Sequence, residues 1–377
     1  MPRAAVTGSR GLGLPLALLL VAANGSGEVG PDPHFDPGVL TRGCLSCHLG
    51  HGVSRSPMLP APQRDVCLSC HGTRADRDRA IRAGKVASSA EPRLLGSVFS
   101  QPYVHPISNH VFTADEPGAV TCTSCHSPHR GYRDPVAGTD PPGRPRRSSK
   151  NPSRLEYELC EGCHGSAGAT TQSLSDISRL FHPGNQSYHP VEAPARDGSP
   201  SVITSLVGRE INCTDCHGNA DSRGPRGPHG STEPFILRAP YTTLDGSSES
   251  RTTYALCYTC HRRQAVLNSS AFAGHGMHIT EVRASCATCH SPHGSVGNRA
   301  LIRFGEEAHM AVVSPSVTAG RLRFVSDGPG SGACFLTCHG RDHAPEGYGA
   351  MKLQLGPRAV PSIGGPLLSP RAGPGRE

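Results

Sequence analysis

The 377-residue chain has no Trp, only 9 Phe and 8 Tyr. Leu, Ile, Val and Phe together make up about 19% of it, under the roughly 20% at which a chain can no longer build an aliphatic core of its own. Lys is also scarce: 3 residues against 34 Arg. These shortages exclude a large α/β enzyme, a coiled coil and a multi-span membrane protein. The formal net charge of +7 is too small for a self-repelling disordered chain. Against this thin background stand 45 Gly, 35 Pro, 21 His and 16 Cys. Prolines at that density forbid long helices and central strands. Something other than hydrocarbon side chains must fill the interior, and the Cys and His residues are its expected anchors.

One apolar run stands out, Gly11 to Ala23, preceded by Arg3 and Arg10 and ending with Val21 and Ala23 at the −3 and −1 positions. It reads as an export signal spanning residues 1–23 and is shorter than the roughly 20 residues of a spanning helix. Export places the chain in an oxidising compartment, where cysteines are normally paired as disulfides.

The cysteine spacing points elsewhere. All sixteen fall into eight pairs, and a His follows the second Cys of every pair. Seven are CxxCH: Cys44/Cys47/His48, Cys67/Cys70/His71, Cys122/Cys125/His126, Cys160/Cys163/His164, Cys213/Cys216/His217, Cys257/Cys260/His261 and Cys286/Cys289/His290. The eighth is one residue wider, Cys334/Cys338/His339. A disulfide scaffold has no use for the His, and a zinc site needs ligands in fours without a His after each second Cys. CxxCH is the attachment sequence for c-type haem: two sulfurs one short turn apart reach the two vinyl groups, and the adjacent imidazole reaches the iron. The expectation is eight covalently attached haem c groups, held by the sixteen Cys and ligated by the eight adjacent His.

Thirteen further His remain for the opposite face of each iron, whereas only Met58, Met277, Met310 and Met351 follow the signal. Bis-histidine ligation is therefore the economical reading. The motifs repeat as four two-motif units, expected at 24–95, 96–176, 177–268 and 269–343, with a disordered tail over 344–377. In each unit a His closely follows the first motif, after an insertion in the third: His51, His129, His229 and His293. Another lies upstream of each unit: His34, His105, His189 and His278. Two spare His in each of four units equal the number of haems. The alternatives are His110 for His105, His182 for His189, His275 for His278 and His343 for His34.

With CHSPHGS at 289–295, CHSPHRG at 125–131, and GPRGPHGS at 224–231 followed by LCYTCH at 256–261, the chain resembles the multihaem c-type cytochromes with doubled CxxCH motifs. The resemblance covers about residues 34 to 343. In that family the His of the CHxPH element often ligates a neighbouring haem and an upstream His supplies another distal bond. It therefore implies metal ligation by His51, His129, His229 and His293, together with His34, His105, His189 and His278. The first unit departs from the pattern, with CHLGH lacking Pro, and so does the wider last motif.

Removing the signal leaves about 354 residues, or about 44 for each of eight haems, too few to wrap each macrocycle separately. The expected fold is mostly irregular, with short α-helices and little β, around a core of stacked haems. Helices are expected near Ser153–Glu161 and Arg251–Gln264. With ionised propionates the holoprotein would carry roughly −3 when oxidised and −11 when reduced, so its basic composition does not point to nucleic acid. Six-coordinate irons pass electrons rather than bind substrate, and His/His ligation gives lower potentials than His/Met. The chain reads as an exported, periplasmic or surface-located relay between redox protein partners, joined to an outer-membrane electron conduit or assembled into filaments. The rival is an octahaem reductase acting on nitrogen or sulfur compounds, which would keep one open iron.

Overall fold

In the computed structural model the described residues are 33–53, 58–107, 120–126, 128–129, 152–166, 176–195, 198–268, 272–304 and 313–355. The expected export signal and the alternative ligand His110 lie outside them.

Aliphatic packing is sparse, as the composition requires. One cluster buries Ala80, Val86 and Ala90, with Val39, Leu40 and Ile81 packed against it. The helices are short and follow the motifs. The first motif of each unit is a single turn: 3-10 over Gly43–Ser46 and α-helical over Cys122–Cys125, Cys213–Cys216 and Cys286–Cys289. A polar residue before the first Cys starts the three α-helical turns by engaging the residue three positions on, as N-caps do. The Thr121 N–H donates to Ser124 Oγ (3.0 Å), the Asn212 N–H donates to Asp215 Oδ2 (2.8 Å), and the Ser285 and Thr288 hydroxyls share a bond of 3.0 Å.

The second motifs that follow Val66 and Leu159 lie inside helices already under way, Gln63–His71 and Pro152–His164, and the one that follows Leu256 starts in the single turn Ala255–Tyr258. The helix expected over 153–161 thus runs on through its own haem motif. That expected over 251–264 is two pieces, Ala255–Tyr258 and Arg263–Leu267.

Four two-residue strands form two matching pairs: β1 (Tyr103–Val104), β2 (Ser187–Tyr188), β3 (Gly230–Ser231) and β4 (Gly294–Ser295). β1 pairs with β3 and β2 with β4, both antiparallel. The larger departure from expectation is a four-stranded antiparallel sheet of β5 (Val313–Ser314), β6 (Arg323–Gly328), β7 (Ser331–Cys338) and β8 (Arg341–Tyr348). Its order is β5-β7 with β6 and β8 both bonded to β7. Both faces of β7 are buried: Ala333 and Phe335 lie on one and Leu336 on the other. β8 and a helix at Ala350–Leu355 carry ordered chain past 344, the expected start of the tail. Residues 356–377 lie outside the described set.

Candidate haem-binding array

None of the sixteen cysteines is in a disulfide. In five regular motifs the N–H of the His donates to the carbonyl of the first Cys (2.8–2.9 Å), in His48, His126, His217, His261 and His290 alike.

The imidazoles then meet in twos. His48 faces His129 with ring centroids 6.0 Å apart, His126 faces His229 at 5.8 Å, and His217 faces His293 at 6.4 Å. His71 faces His34 at 6.0 Å, His164 faces His105 at 6.1 Å, and His261 faces His189 at 6.3 Å. His290 faces His275 at 6.1 Å, and His278 faces His343 at 6.3 Å. Separations run only from 5.8 to 6.4 Å, while interplanar angles run from 6° to 48°. Direct ring packing would favour particular angles; a common atom between two rings fixes the distance and leaves the tilt free. With a metal–nitrogen bond of about 2 Å and each nitrogen roughly 1.2 Å from its ring centre, rings trans across one metal have centroids roughly 6.4 Å apart. The donor set therefore fits an iron between each pair. Among the described residues no three His, Cys, Asp or Glu side chains converge on a cage for a bare metal ion.

Two pairing rules emerge. The His of a second motif faces the upstream His of its own unit, in His71–His34, His164–His105 and His261–His189. The His of a first motif faces the CHxxH His of the next unit, in His48–His129, His126–His229 and His217–His293. The units thus interlock rather than stand as separate dihaem modules. In the fourth unit the first-motif His, His290, faces His275, the alternative to His278, at 6.1 Å. His51, at the opposite end of this pattern, is exposed; among the described residues no imidazole faces it. His182 instead accepts the Gly184 N–H at Nδ1 (3.0 Å).

Backbone carbonyls orient several rings. Nδ1–H of His71 donates to Arg93 O (3.0 Å), His217 to Phe235 O (2.9 Å), His290 to Ala300 O (2.8 Å), His278 to Gly274 O (2.8 Å), and His189 to Pro292 O. A proton held on Nδ1 leaves the Nε2 lone pair for a metal. Burial, reinforced by neighbouring imidazoles, lowers His229, His261 and His275 to about 4, keeping them in the neutral, ligating form.

The short strand pairs explain the HGS sequence that follows His229 and His293. Pairing β1 to β3 lets the His105 N–H donate to His229 O (3.2 Å); pairing β2 to β4 lets the His189 N–H donate to His293 O (3.3 Å). Two imidazoles bound for different sites are thereby fixed side by side. The Gly admits the close approach, since a Cβ on Gly294 would collide with Leu180 O and one on Gly230 with Val98 O. The Ser hydroxyls close the loops beyond, Ser231 to Leu237 O (2.6 Å) and Ser295 to Ile302 O (2.8 Å). Gly294→Ala is therefore expected to destabilise the protein by about 1–3 kcal/mol, read as a lowered midpoint in thermal unfolding of the holoprotein. The sequence displayed HGS plainly; its purpose is visible only with the opposing backbone in place.

Thiols of successive motifs influence one another. Burial and then Cys70 raise the Cys47 thiol, and burial and then Cys163 raise Cys125. Burial pushes Cys216 up to about 12 with Cys260 next in effect, and pushes Cys289 up to about 12 with Cys334 and Cys338 next. Between units the first cysteines hydrogen-bond: Cys67 with Cys122, Cys160 with Cys213, and Cys257 with Cys286. Two of these junctions share a clamp. Gln63 Oε1 accepts from the Thr123 N–H (3.3 Å), and Glu156 Oε1 from the Thr214 N–H (2.8 Å). In each case the acceptor sits four residues before a second motif, and the donor is the residue after the first Cys of the next unit.

Residues 38–76 match the doubled CXXCH motif family, and residues 118–301 match the family described as outer membrane cytochrome MtrC/MtrF-like, domains II/IV. No curated protein and no solved structure matches the chain. The attachment motifs and these matches define an electron-transfer protein carrying covalently bound haem c. More particularly, the chain belongs to the multihaem c-type cytochromes with doubled CxxCH motifs. The motif cysteines are the residues that would carry the thioethers.

Proposed function

We propose that this is an exported octahaem cytochrome c that relays electrons along eight bis-histidine haems arranged in the order of their motifs. The observation that carries this reading is the run of facing imidazoles that joins each unit to the next, His48 to His129, His126 to His229 and His217 to His293. Haems anchored that way follow one another as a single file, with faces and edges filling the space that aliphatic side chains leave. The facing imidazoles support a relay over catalysis: a relay needs both axial positions closed, whereas substrate chemistry needs one open. Methionine would raise the potentials, and its absence from the pairs supports low ones.

The MtrC/MtrF-like match over 118–301 supports a place at the outer membrane or cell surface, with redox proteins of an outer-membrane conduit as donor and acceptor. Among the described residues no helix is long and apolar enough to cross a membrane. Mass spectrometry and low-temperature electron paramagnetic resonance of the exported protein test the reading. Eight haems, all low-spin when oxidised, are expected; fewer haems, or a stoichiometric high-spin iron, would sink it, the latter in favour of a reductase.

A further inference from the structure

The eighth site is built differently from the other seven. In the α-helical first motifs one turn brings two sulfurs together, and the following His leaves in extended conformation, φ −122° at His126, −95° at His217 and −110° at His290. Cys334 and Cys338 instead lie on β7, four residues and roughly 13 Å of extended chain apart. His339 comes next, but in the two-residue turn that joins β7 to β8, where Cys338 is paired with Arg341. Both turn residues are left-handed, His339 at φ 48° and Gly340 at 76°, as a tight hairpin of this type requires. The turn carries His339 off the strand, and its Nε2, the atom that faces the metal in a regular motif, lies 2.8 Å from Asp245 Oδ2. Asp245 is held in turn by the Ser285 N–H (2.7 Å).

Another imidazole occupies the expected place. Residues alternate faces along a strand and directly paired residues share one. Cys334, Leu336 and Cys338 therefore share a face of β7, and His343, paired with Leu336, projects from that same face on β8. His343 is buried, and its ring faces His278 at 6.3 Å with a tilt of 34°, inside the range of the other seven pairs. The pairing rule agrees. His278 is the upstream His of the fourth unit, so its partner should be the proximal ligand of that unit's second motif. In the three preceding units that partner immediately follows the Cys; here it comes five residues after Cys338.

We infer that the eighth haem is ligated by His278 and His343, and that His339, despite completing the attachment motif, is not an iron ligand but ties the β7–β8 turn to Asp245. This rests on the reading that the facing imidazoles ligate irons, so the test includes that reading's own control. Four variants of the full-length exported protein, His343→Ala, His343→Met, His339→Ala and His129→Ala, would be compared by haem mass and by spin state of the oxidised protein. His343→Ala is expected to turn one haem high-spin, and His339→Ala to leave every haem low-spin. His343→Met retains a ligand and separates folding from coordination: one haem should become His/Met-ligated, with a raised potential. One high-spin haem in His339→Ala, or unchanged His/His ligation throughout in His343→Met, would overturn the assignment. If His129→Ala leaves every haem low-spin, the pair reading itself fails, whatever the other variants do.

Discussion

Produced without covalent haem, either in a host lacking the attachment machinery or with all sixteen Cys changed to Ser, the chain is expected to be unfolded. Far-ultraviolet circular dichroism should lose its helical signal, and hydrogen exchange should show no protected amides in the motif segments. The reason is the shortage that opens the sequence reading. The buried apolar cluster is Ala80, Val86 and Ala90 with a few partly buried neighbours, and deeply buried large side chains such as Tyr254 and Val98 are scattered. Folding costs roughly 1–2 kcal/mol of backbone entropy per residue, which so little hydrocarbon cannot offset. One-turn helices of four residues are also far too short to persist alone. The free energy must come with the prosthetic groups, as it does in small metal domains that fold only around their ion. A cooperative thermal transition in the haem-free chain would refute this.

The second large effect is displaced from the site of mutation. His293→Ala alters the fourth unit, but its imidazole faces His217 of the third. The expected result is one haem changing from six-coordinate low-spin to five-coordinate high-spin, that haem being the one attached through Cys213 and Cys216. Proteolysis and mass analysis of a variant that also lacks those two cysteines locates it: with that haem gone, the high-spin signal should vanish. If each unit ligated only its own haems, the signal would persist.

Much of this was legible in the sequence, because covalent attachment is written in local spacing. Seven of the eight expected distal imidazoles, His34, His105, His129, His189, His229, His278 and His293, sit in facing pairs. Which motif each one faces was not legible. Spacing says that His129 follows Cys125, not that the chain turns so as to present it to His48. His275 and His278 are three residues apart on one turn, and only the fold sends the first to His290 and the second to His343.

The C-terminal sheet was missed for a different reason. Its cysteines were read as a stretched copy of a helical motif. The run of Ala, Cys, Phe, Leu and Thr in SGACFLTC and the turn residues His339 and Gly340 carry the competing strand signal. A long-range sheet outweighs local resemblance when both strand faces find partners.

The facing of imidazoles across units bears on how such a chain can grow. A unit duplicated in mid-chain would receive an imidazole from the unit after it and present one to the unit before it, as His129 is presented to His48 and His229 to His126, so no first motif would lack a facing imidazole. The fourth unit differs: His275 stands at His290, so its first motif finds a facing imidazole within its own unit and needs none from another.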